Sequence, residues 1–354
     1  MKKALKLFFT CLLCFLGVVI LYGLYAIVYP WVTEYNPEET TVILEDQSMK
    51  KLSSTQTYSI LTWNIGYAGL GREMDFFYEG GKMVRPTKEQ TEKYLNGITS
   101  FLKQHDSIDF MLLQEVDFRS KRSYKVDQYA VIREVLPGYT ASSATNYKSA
   151  FVPSPLSEPM GSVHAGQATF GRYGPANAYR MSTPGTYAWP MRLFMLKRCF
   201  LISRYALEND KFIVLFNIHN SAFDDAGDLR EQELKLLRKM AIEEYEKGNY
   251  VVIGGDWNQN PPGWVPQATG KYQLKALWPI DMDYMPDTWG WAFDPALPTN
   301  RSVTEPFQLE KTSCTSLDYF LTSPNVSIEK INVIDLGFEY SDHQPVLMKF
   351  RLHF

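Results

Sequence analysis

The N-terminal end of the chain carries its longest apolar stretch. No charged residue occurs in residues 7–32, and Lys2, Lys3 and Lys6 stand just before it. At about 1.5 Å rise per residue, a helix of this length exceeds the roughly 30 Å hydrocarbon core of a bilayer. The pattern therefore predicts a transmembrane helix over residues 7–32 that inserts into a membrane bilayer.

The residues that flank this stretch indicate its orientation. Lysines precede it, whereas Glu34, Glu38 and Glu39 follow it. By the positive-inside bias, residues 1–6 are expected in the cytoplasm and the rest of the chain outside it. A cleaved signal peptide is the alternative, but its apolar region is usually only about 7–15 residues long and ends in small residues. The stretch here ends in Tyr-Pro-Trp-Val, which favours an uncleaved single-pass anchor.

Strand-like and helix-like patterns alternate after the anchor. Residues 33–56 are rich in Glu, Thr and Ser and are predicted to be a linker, which leaves 57–354 as one domain. Short apolar runs predict strands, whereas apolar positions three or four residues apart predict helices, and the mixture indicates an α+β fold. The predicted helices cover 88–105 and 228–247, the second with Asp228 as its N-cap. The predicted strands cover 58–65, 108–113, 211–218, 250–255, 316–322, 328–335 and 344–352.

The overall charge and the cysteines narrow the set of functions. The formal charge is -3 and the sequence pI is near 6.0, so the composition offers no broad basic footprint for a nucleic-acid backbone. This weakens a nuclease hypothesis without excluding it. Outside the apolar segment the cysteines are Cys199 and Cys314, which form no metal-ligand motif, and whether they pair is left open.

Polar side chains follow the apolar strands at the point where each strand ends. Asn64 lies at the end of the first predicted strand, directly after its apolar run. Glu115 follows the second strand, His219 the third and Asp256 the fourth, with Asn258 shortly after. Asn and Asp are common turn formers, so any one of these positions is more simply explained as a turn. The set as a whole has the oxygen ligands that Mg²⁺ prefers and the imidazole that transfers protons near neutral pH.

His343 adds a further element to this chemistry. It follows Asp342, and Asp318 in an earlier predicted strand could orient its ring. A histidine held by a carboxylate is the arrangement of a general base. The simpler alternative is a polar turn before the last strand.

Taken in chain order, these segments resemble the endonuclease/exonuclease/phosphatase superfamily. That superfamily includes pancreatic deoxyribonuclease, abasic-site endonucleases, neutral sphingomyelinases and inositol-polyphosphate 5-phosphatases. The resemblance spans roughly residues 60–350, and its strength lies in the order of the motifs rather than in any single one. The matching residues are Thr62-Trp63-Asn64, Gln114-Glu115, Asn217-Ile218-His219, Gly255-Asp256-Trp257-Asn258, Ser316-Leu317-Asp318-Tyr319 and Ser341-Asp342-His343.

The resemblance implies a fold and a reaction. The fold would be a four-layer α/β sandwich, with two mixed β-sheets flanked by helices, and the reaction a metal-dependent attack of water on phosphorus. The metal, expected to be Mg²⁺ with Mn²⁺ as the alternative, would bind Glu115, with Asn64 and Asp342 beside it. It would clamp the phosphate and offset the charge that develops on its oxygens.

The same resemblance implies roles for the other polar residues. His343, oriented by Asp318, would act as a base or contact the phosphate, and Asp256 would position or activate the attacking water. Asn258 would hold a phosphate oxygen, and His219 would stabilise developing charge or protonate the leaving oxygen. Which of these groups is the general base stays open at this point.

Four further residues are candidates for substrate binding. Asn220 follows the third predicted strand directly. Arg301 stands in a Thr-Asn-Arg segment that resembles a Thr-x-Arg element of the family and is a candidate phosphate contact, with an ordinary surface arginine as the equal alternative. Asp75 and Lys82 lie in the loop after the first motif, and loops after strand ends line many sites.

Three functions are consistent with the sequence. A membrane-anchored phosphoesterase for a lipid head group or other small molecule, with a phosphodiester favoured, fits the anchor and the absence of net positive charge. An extracytoplasmic nuclease acting on DNA or RNA is the second, and a basic stripe beside the site would distinguish it. A catalytically inactive binding module is disfavoured, because every motif keeps its polar residue. We expect a monomer, and the sequence leaves the substrate undetermined.

Overall fold

The computed structural model describes residues 2–45, 50–222, 224, 227–266 and 271–353. The helices are α1 (Lys2–Val32), α2 (Lys88–Gln104), α3 (Gln128–Val135) and α4 (Asp228–Glu246). The strands are β1 (Thr40–Glu45), β2 (Thr57–Asn64), β3 (Phe110–Asp117), β4 (Thr140–Val152), β5 (Gly161–Gly171), β6 (Asn177–Ser182), β7 (Cys199–Ala206), β8 (Phe212–His219), β9 (Tyr250–Asp256), β10 (Gln273–Leu274), β11 (Gly290–Ala292), β12 (Asn300–Arg301), β13 (Ser313–Thr315), β14 (Asp318–Thr322), β15 (Val326–Val333) and β16 (Val346–Leu352).

Helix α1 corresponds to the predicted membrane segment. It spans 31 residues, its most apolar window has a mean hydropathy of 2.6, and only 6% of that window is buried against the rest of the protein. Among the described residues it is the one helix long and apolar enough to cross a membrane. Its length and its N-terminal position fit a signal anchor and also a signal peptide.

Two large mixed β-sheets form the body of the domain. The first has seven strands in the order β1-β6-β7-β8-β9-β14-β11, and the second has six in the order β15-β16-β2-β3-β5-β4. The parallel pairs are β8 with β9 in the first sheet and β2 with β3 in the second. A further three-stranded sheet is formed by β10, β13 and β12.

Alternation along the central strands explains how the sheets stack. Ile60 of β2 and Leu112 of β3 belong to the core between the sheets, together with Leu215 of β8. Their sequence neighbours Leu61 and Leu113 belong instead to the cluster on the outer face of the second sheet. Because successive side chains of a strand point to opposite faces, strands buried on both faces are the continuous apolar runs seen in the sequence.

The helices cover the two outer faces. Ile98 of α2 and Ile132 of α3 pack on the second sheet. Leu237 and Ala241 of α4 pack on the first sheet. The resulting order of helix, sheet, sheet and helix confirms the predicted α+β four-layer sandwich.

Two predicted boundaries are corrected by the structure. In the predicted linker 33–56, residues 40–45 form strand β1, which pairs antiparallel with β6 at the edge of the first sheet. Its sequence Thr-Thr-Val-Ile-Leu-Glu contains a strand-like apolar run, and the Glu-, Thr- and Ser-rich residues around that run led to the linker prediction. Helix α4 begins at Asp228 itself, and its N-cap is Gly227, whose φ of 80° is a left-handed conformation that favours glycine.

The cysteines of the domain are unpaired. Cys199 is buried in a cluster with Ala144 and Leu201, and Cys314 is buried in another cluster with Tyr272. Their thiols therefore contribute to packing in separate parts of the domain. Burial raises the pKa of Cys199 to about 11, so this thiol is protonated at neutral pH.

Candidate active site

Several strand ends meet at one end of the sandwich. The parallel pairing of β2 with β3 places Asn64 opposite Gln114, and the parallel pairing of β8 with β9 places His219 opposite Asp256. Asp318, at the start of antiparallel β14, is also paired with Asp256. Because parallel strands end on the same side of a sheet, residues that are far apart in the sequence collect there.

Asn64 connects two acidic groups. Its amide nitrogen donates to Glu115 Oε1 at 3.2 Å and to Asp256 Oδ2 at 3.0 Å, while its own Oδ1 accepts from the backbone nitrogen of Gly66 at 3.0 Å. Glu115 has a φ of 53° and lies at an irregularity in the β3–β5 pairing. Such a bulge re-aims a side chain out of the regular strand alternation. The three side chains are therefore held as one unit.

Asp318 and His343 form a buried hydrogen-bonded pair. His343 Nδ1 lies 2.7 Å from Asp318 Oδ2, and His343 Nε2 lies 3.7 Å from Asp256 Oδ2. Burial disfavours the charged imidazole, but Asp318, Asp256 and Asp342 outweigh burial and hold the pKa of His343 well above its ordinary value. A carboxylate that fixes one ring nitrogen while the imidazole lines the cleft is the geometry of an oriented proton-transfer group.

His219 has the opposite electrostatic environment. Its Nε2 lies 3.5 Å from Asp256 Oδ2 and 3.9 Å from Glu115 Oε1. Burial, and after it the positive charge of Arg198, lowers the pKa of His219 well below its ordinary value. The pKa values of the two histidines beside Asp256 are thus moved apart, so a neutral imidazole and a charged one are available at neutral pH.

Glu115 and Asp342 form an acidic pair without a basic partner. Burial raises the pKa of both carboxyl groups. In the part of the chain that the structure describes, no lysine or arginine lies within 4.0 Å of either carboxylate. A Cβ atom on Gly66 would lie 2.8 Å from Asp342 Oδ1, so this glycine leaves room for the carboxylate. Oxygen ligands of this kind, with Asp342 buried and the Glu115 side chain 25% exposed, fit a hard divalent cation, and Asn64 stands beside them.

A second candidate metal group lies next to the first. Ligand atoms of Asp256, Asp318 and His343 lie within 4.8 Å of one another. This spacing also suits a metal ion. However, Asp318 Oδ2 already accepts the short hydrogen bond from His343, which favours a proton-transfer role for that pair. The pair Glu115 and Asp342 carries no such bond to a histidine.

Asn258 and Asn220 are tied to Asp256 through the backbone. The Asn258 nitrogen donates to Asp256 Oδ1 at 2.9 Å, and Asn258 Nδ2 donates to the Asn220 carbonyl at 2.8 Å. Asn258 lines the cleft. The Asn220 side chain is buried, and neither of its amide atoms has a hydrogen-bond partner among the described residues. A buried amide without a hydrogen-bond partner destabilises the folded protein unless a ligand supplies the partner. Asn220, with its unpaired amide, and Asn258, in the cleft lining, therefore stay candidates for contact with a ligand.

The three remaining substrate-binding candidates do not line the cleft. Arg301 is buried, and its Nη2 donates to the carbonyls of Leu70, Gly71 and Met74 at 3.1, 2.9 and 3.0 Å. Asp75 Oδ1 accepts from the backbone nitrogen of Lys82 at 2.9 Å. In the described structure the side chains of Arg301 and Asp75 hydrogen-bond the backbone of the loop that follows β2, so the phosphate contact predicted for Arg301 is not part of this geometry.

Replacing Arg301 with methionine is expected to lower the free energy of unfolding by at least about 2 kcal/mol, because three buried carbonyls lose their donor. The loss is measured by chemical denaturation. As a control, Arg351→Met should change stability by less than about 1 kcal/mol, since the Arg351 side chain is 53% exposed and its contacts with Glu329 and Thr57 lie at the surface. A normal stability with a raised KM would instead point to a substrate contact at Arg301.

The acidic residues form the floor of a cleft of about 700 Å³. Two arginines that the sequence analysis missed line its walls. Arg122 is buried, lies 3.0 Å from Asp117, and stacks 3.7 Å from the ring centre of Tyr67. Arg198 donates to the His219 carbonyl at 3.2 Å. Neither arginine follows an apolar strand, so the strand-end pattern could not find them, and no motif marks them in the sequence.

The sequence and the fold were compared with known proteins. A profile of the Endonuclease/Exonuclease/phosphatase family matches residues 61–343. The chain belongs to this family. The matched range begins in β2 and ends at His343, so it contains Asn64, Glu115, Asp256 and Asp318. The family resemblance inferred from the motifs is confirmed.

Solved structures of family proteins share the fold. The endonuclease/exonuclease/phosphatase from Beutenbergia cavernae DSM 12333 is 17% identical, with a TM-score of 0.55 over 84% of this chain and 72% of its own. The one from Bacteroides vulgatus is 16% identical, with a TM-score of 0.52 over 84% and 100%. D. rerio TDP2, solved with a single-strand DNA product, is 13% identical, with a TM-score of 0.52 over 84% and 99%. At these identities the likeness shows the fold alone. No curated protein matches the chain by sequence.

Proposed function

We propose that this member of the endonuclease/exonuclease/phosphatase family is a membrane-anchored, divalent-metal-dependent phosphoesterase that hydrolyses a phosphodiester of a lipid head group or small molecule. The observation that carries the proposal is the meeting of the Asp318–His343 pair with Asp256 and Glu115 on the floor of one cleft. An oxygen-ligand pair, an oriented histidine and a neutral histidine are what hydrolysis of a phosphoester requires.

Each residue has a role in this proposal. Glu115 and Asp342, with Asn64 beside them, would hold Mg²⁺ or Mn²⁺, which when bound supplies a Lewis acid for the phosphate oxygens. Asp256 accepts a proton from, or orients, the attacking water. His343, kept charged by Asp318, donates to a phosphate oxygen. These contacts act in a buried site, where preorganised hydrogen bonds are strongest.

Two further side chains complete the reaction scheme. His219 is held neutral, and its ring stabilises charge on the leaving side of the phosphate. Asn258, at the edge of the cleft, offers its side chain to a phosphate oxygen. Both residues contact Asp256 itself, so the water and the leaving oxygen would be oriented by one connected set of residues.

The membrane part of the proposal is supported by the first helix. Residues 7–32 would span the bilayer, with residues 1–6 in the cytoplasm and the catalytic domain, which includes edge strand β1, outside it. Lys2, Lys3 and Lys6 on the N-terminal side support this orientation. The apolar surface of α1 is almost entirely exposed, which is the state expected of a helix that contacts lipid rather than a protein core.

The charge of the cleft supports a small phosphoester over a nucleic acid as the proposed substrate. Among the described residues that line it, the cations other than histidine are Arg122 and Arg198, and Arg122 is paired with Asp117. Glu79 adds a further carboxylate to the acidic floor. A nuclease needs a row of lysines and arginines along the nucleic-acid backbone, and this lining does not provide one. Binding a single phosphate group needs fewer positive charges than binding a nucleic-acid backbone does.

Metal removal and a substrate panel test the proposed function. The full-length protein is assayed against bis(4-nitrophenyl) phosphate, phosphodiester lipids, and single- and double-stranded DNA. We expect EDTA to remove at least about 99% of the activity and Mg²⁺ or Mn²⁺ to restore it, because the metal offsets the developing charge. Lipid or small-molecule phosphodiesters should be cleaved faster than DNA. Full activity in EDTA would contradict the metal assignment, and a preference for DNA would support the nuclease alternative.

A further inference from the structure

One half of the cleft is apolar and has no part in the proposed chemistry. The wall of this apolar half consists of Phe76, Val152, Met160, Phe194, Met195 and Leu196. Most of these side chains pack in one cluster with Tyr147, so the wall is already formed without a ligand. A phosphate gains nothing from such a surface, whereas a hydrocarbon chain is stabilised by leaving water for it.

Helix α1 contacts the strand that forms this wall. The rings of Tyr22 and Tyr25 pack against Phe151, with centroid distances of 6.5 and 5.3 Å. Phe151 is followed in β4 by Val152, which lines the apolar half of the cleft. Adjacent side chains of a strand point to opposite faces, so the aromatic end of the proposed anchor packs on the back of the strand segment whose Val152 lines the apolar half.

Ion pairs fix the other side of the wall to the end of the anchor. Glu34, just after α1, lies 3.0 Å from Lys197 and 3.4 Å from Arg192. Its side chain is only 8% exposed, so these contacts are partly shielded from water. The two cations flank residues 193–196, which carry three of the apolar wall residues. The apolar half therefore has a fixed position relative to the membrane boundary.

Exposed apolar side chains border the same region. Leu156 is 79% exposed, Trp189 is 56% exposed and Met191 is 49% exposed. Leu156 lies in the connection between β4 and β5, and the other two lie in the segment before β7; both connections contribute residues to the cleft. Exposed apolar groups that include tryptophan are typical of a surface at the membrane interface.

We propose that the apolar half of the cleft binds the hydrocarbon chain of an amphiphilic phosphoester that enters from the bilayer in which α1 is inserted. This inference rests on the proposed phosphoesterase function and narrows its substrate class to lipids. The phosphorus would lie at Asp256 and His343, and the chain would extend past Met195 and Val152 toward the anchor. A soluble phosphoester would leave this wall in water, and a nucleic acid would bring a charged backbone against it.

Chain-length selectivity of the full-length protein in lipid nanodiscs tests the proposal. Methyl and octyl 4-nitrophenyl phosphate share the reacting group and differ only in the alkyl chain. We expect kcat/KM for the octyl ester to exceed that for the methyl ester by at least about 30-fold, because each buried methylene strengthens binding roughly threefold. No preference for the octyl ester would overturn the proposal.

A charge at the mouth of the apolar half should remove this selectivity. Met191→Glu is expected to lower the octyl-to-methyl ratio at least about tenfold, because the hydrocarbon chain would pass a carboxylate. Met282→Glu is the matched control, since Met282 is 71% exposed and does not line the cleft. Because both variants share the same nanodisc lipids, partition of the substrate into the bilayer cancels in the comparison. An equal ratio in the two variants would overturn the proposal.

Binding of dansyl-undecanoic acid in EDTA separates this proposal from the proposed catalysis. After subtraction of the signal from empty nanodiscs, wild type and Met282→Glu should bind the probe alike, and Met191→Glu at least about tenfold more weakly. Probe binding with this pattern, but no hydrolysis of either ester, would refute the phosphoesterase function and support the lipid site. Hydrolysis of both esters at equal rates without probe binding would refute the lipid site and support the phosphoesterase function.

Discussion

Replacing Glu115 with glutamine is expected to lower kcat/KM for a phosphodiester by at least about 10³-fold, because the proposed metal loses one of its two charged ligands. The amide keeps the size of the side chain and can still meet Asn64, which contacts Glu115 Oε1 at 3.2 Å. Burial raises the pKa of Glu115, so a neutral group at this position costs no stability. Steady-state kinetics and thermal unfolding on the same preparations measure the two effects.

The response of stability to Mg²⁺ provides an independent measurement. An ion that binds only the folded protein raises the Tm, so wild type should show a rise that Glu115→Gln lacks. Glu246→Gln is the matched control, because Glu246 is exposed at the end of α4 and does not line the cleft. The assignment of Glu115 is wrong if its variant keeps both the activity and the Mg²⁺-dependent rise in Tm.

The central strands and the floor of the cleft could be predicted because the apolar pattern of each strand agrees with its buried position in the fold. Strands β2, β3, β8 and β9 are buried on both faces, so each is a continuous apolar run. Each run ends in a polar residue, and parallel pairing brings those ends together. That pattern predicts four site residues, Asn64, Glu115, His219 and Asp256. It does not predict which of them hydrogen-bond to one another.

The outer strands could not be predicted from the same signal. Strand β4 is Thr-Ala-Ser-Ser-Ala-Thr-Asn-Tyr-Lys-Ser-Ala-Phe-Val, a polar sequence without a clear period of two. It becomes a strand because it pairs along its length with β5, and such tertiary pairing outweighs intrinsic preference. Strand β1 was missed for a different reason, because its short run Val42-Ile43-Leu44 stands within a Glu-, Thr- and Ser-rich segment that favoured a linker.

The walls of the cleft were the least predictable part of the site. Arg122 and Arg198 reach the cleft from segments between regular elements, and no periodic pattern fixes the path of such segments. For Arg301, in contrast, a motif predicted a contact that the structure does not show. Its Thr-Asn-Arg segment suggested a phosphate contact, but the guanidinium donates to loop carbonyls in the buried interior. A motif gives the residue type that a site needs, whereas the direction of the side chain depends on tertiary contacts.

Replacing His343 with asparagine is expected to lower kcat by roughly 10²–10⁴-fold, the range over which a positioned proton-transfer group contributes. Asp318→Asn should lower kcat less, by roughly 10–100-fold, because the imidazole remains but loses the acceptor 2.7 Å from its Nδ1. The double variant should be no slower than His343→Asn alone, because Asp318 acts only through that ring. Single-turnover kinetics on all three variants measure the chemical step directly.

This non-additivity distinguishes a positioning role for Asp318 from direct metal binding. Ligand atoms of Asp318, Asp256 and His343 lie within 4.8 Å of one another, so Asp318 could instead hold the metal itself. In that case the fold-decreases in kcat of the two single variants would multiply in the double variant, and Asp318→Asn would weaken Mg²⁺ binding. His353→Asn, at an exposed position near the C-terminus, is the control for removal of an imidazole as such and should keep wild-type kinetics. Equal activity in His343→Asn and His353→Asn would remove proton transfer by His343 from the mechanism, and the charged imidazole beside Asp318 would then serve only to hold the two strand ends together.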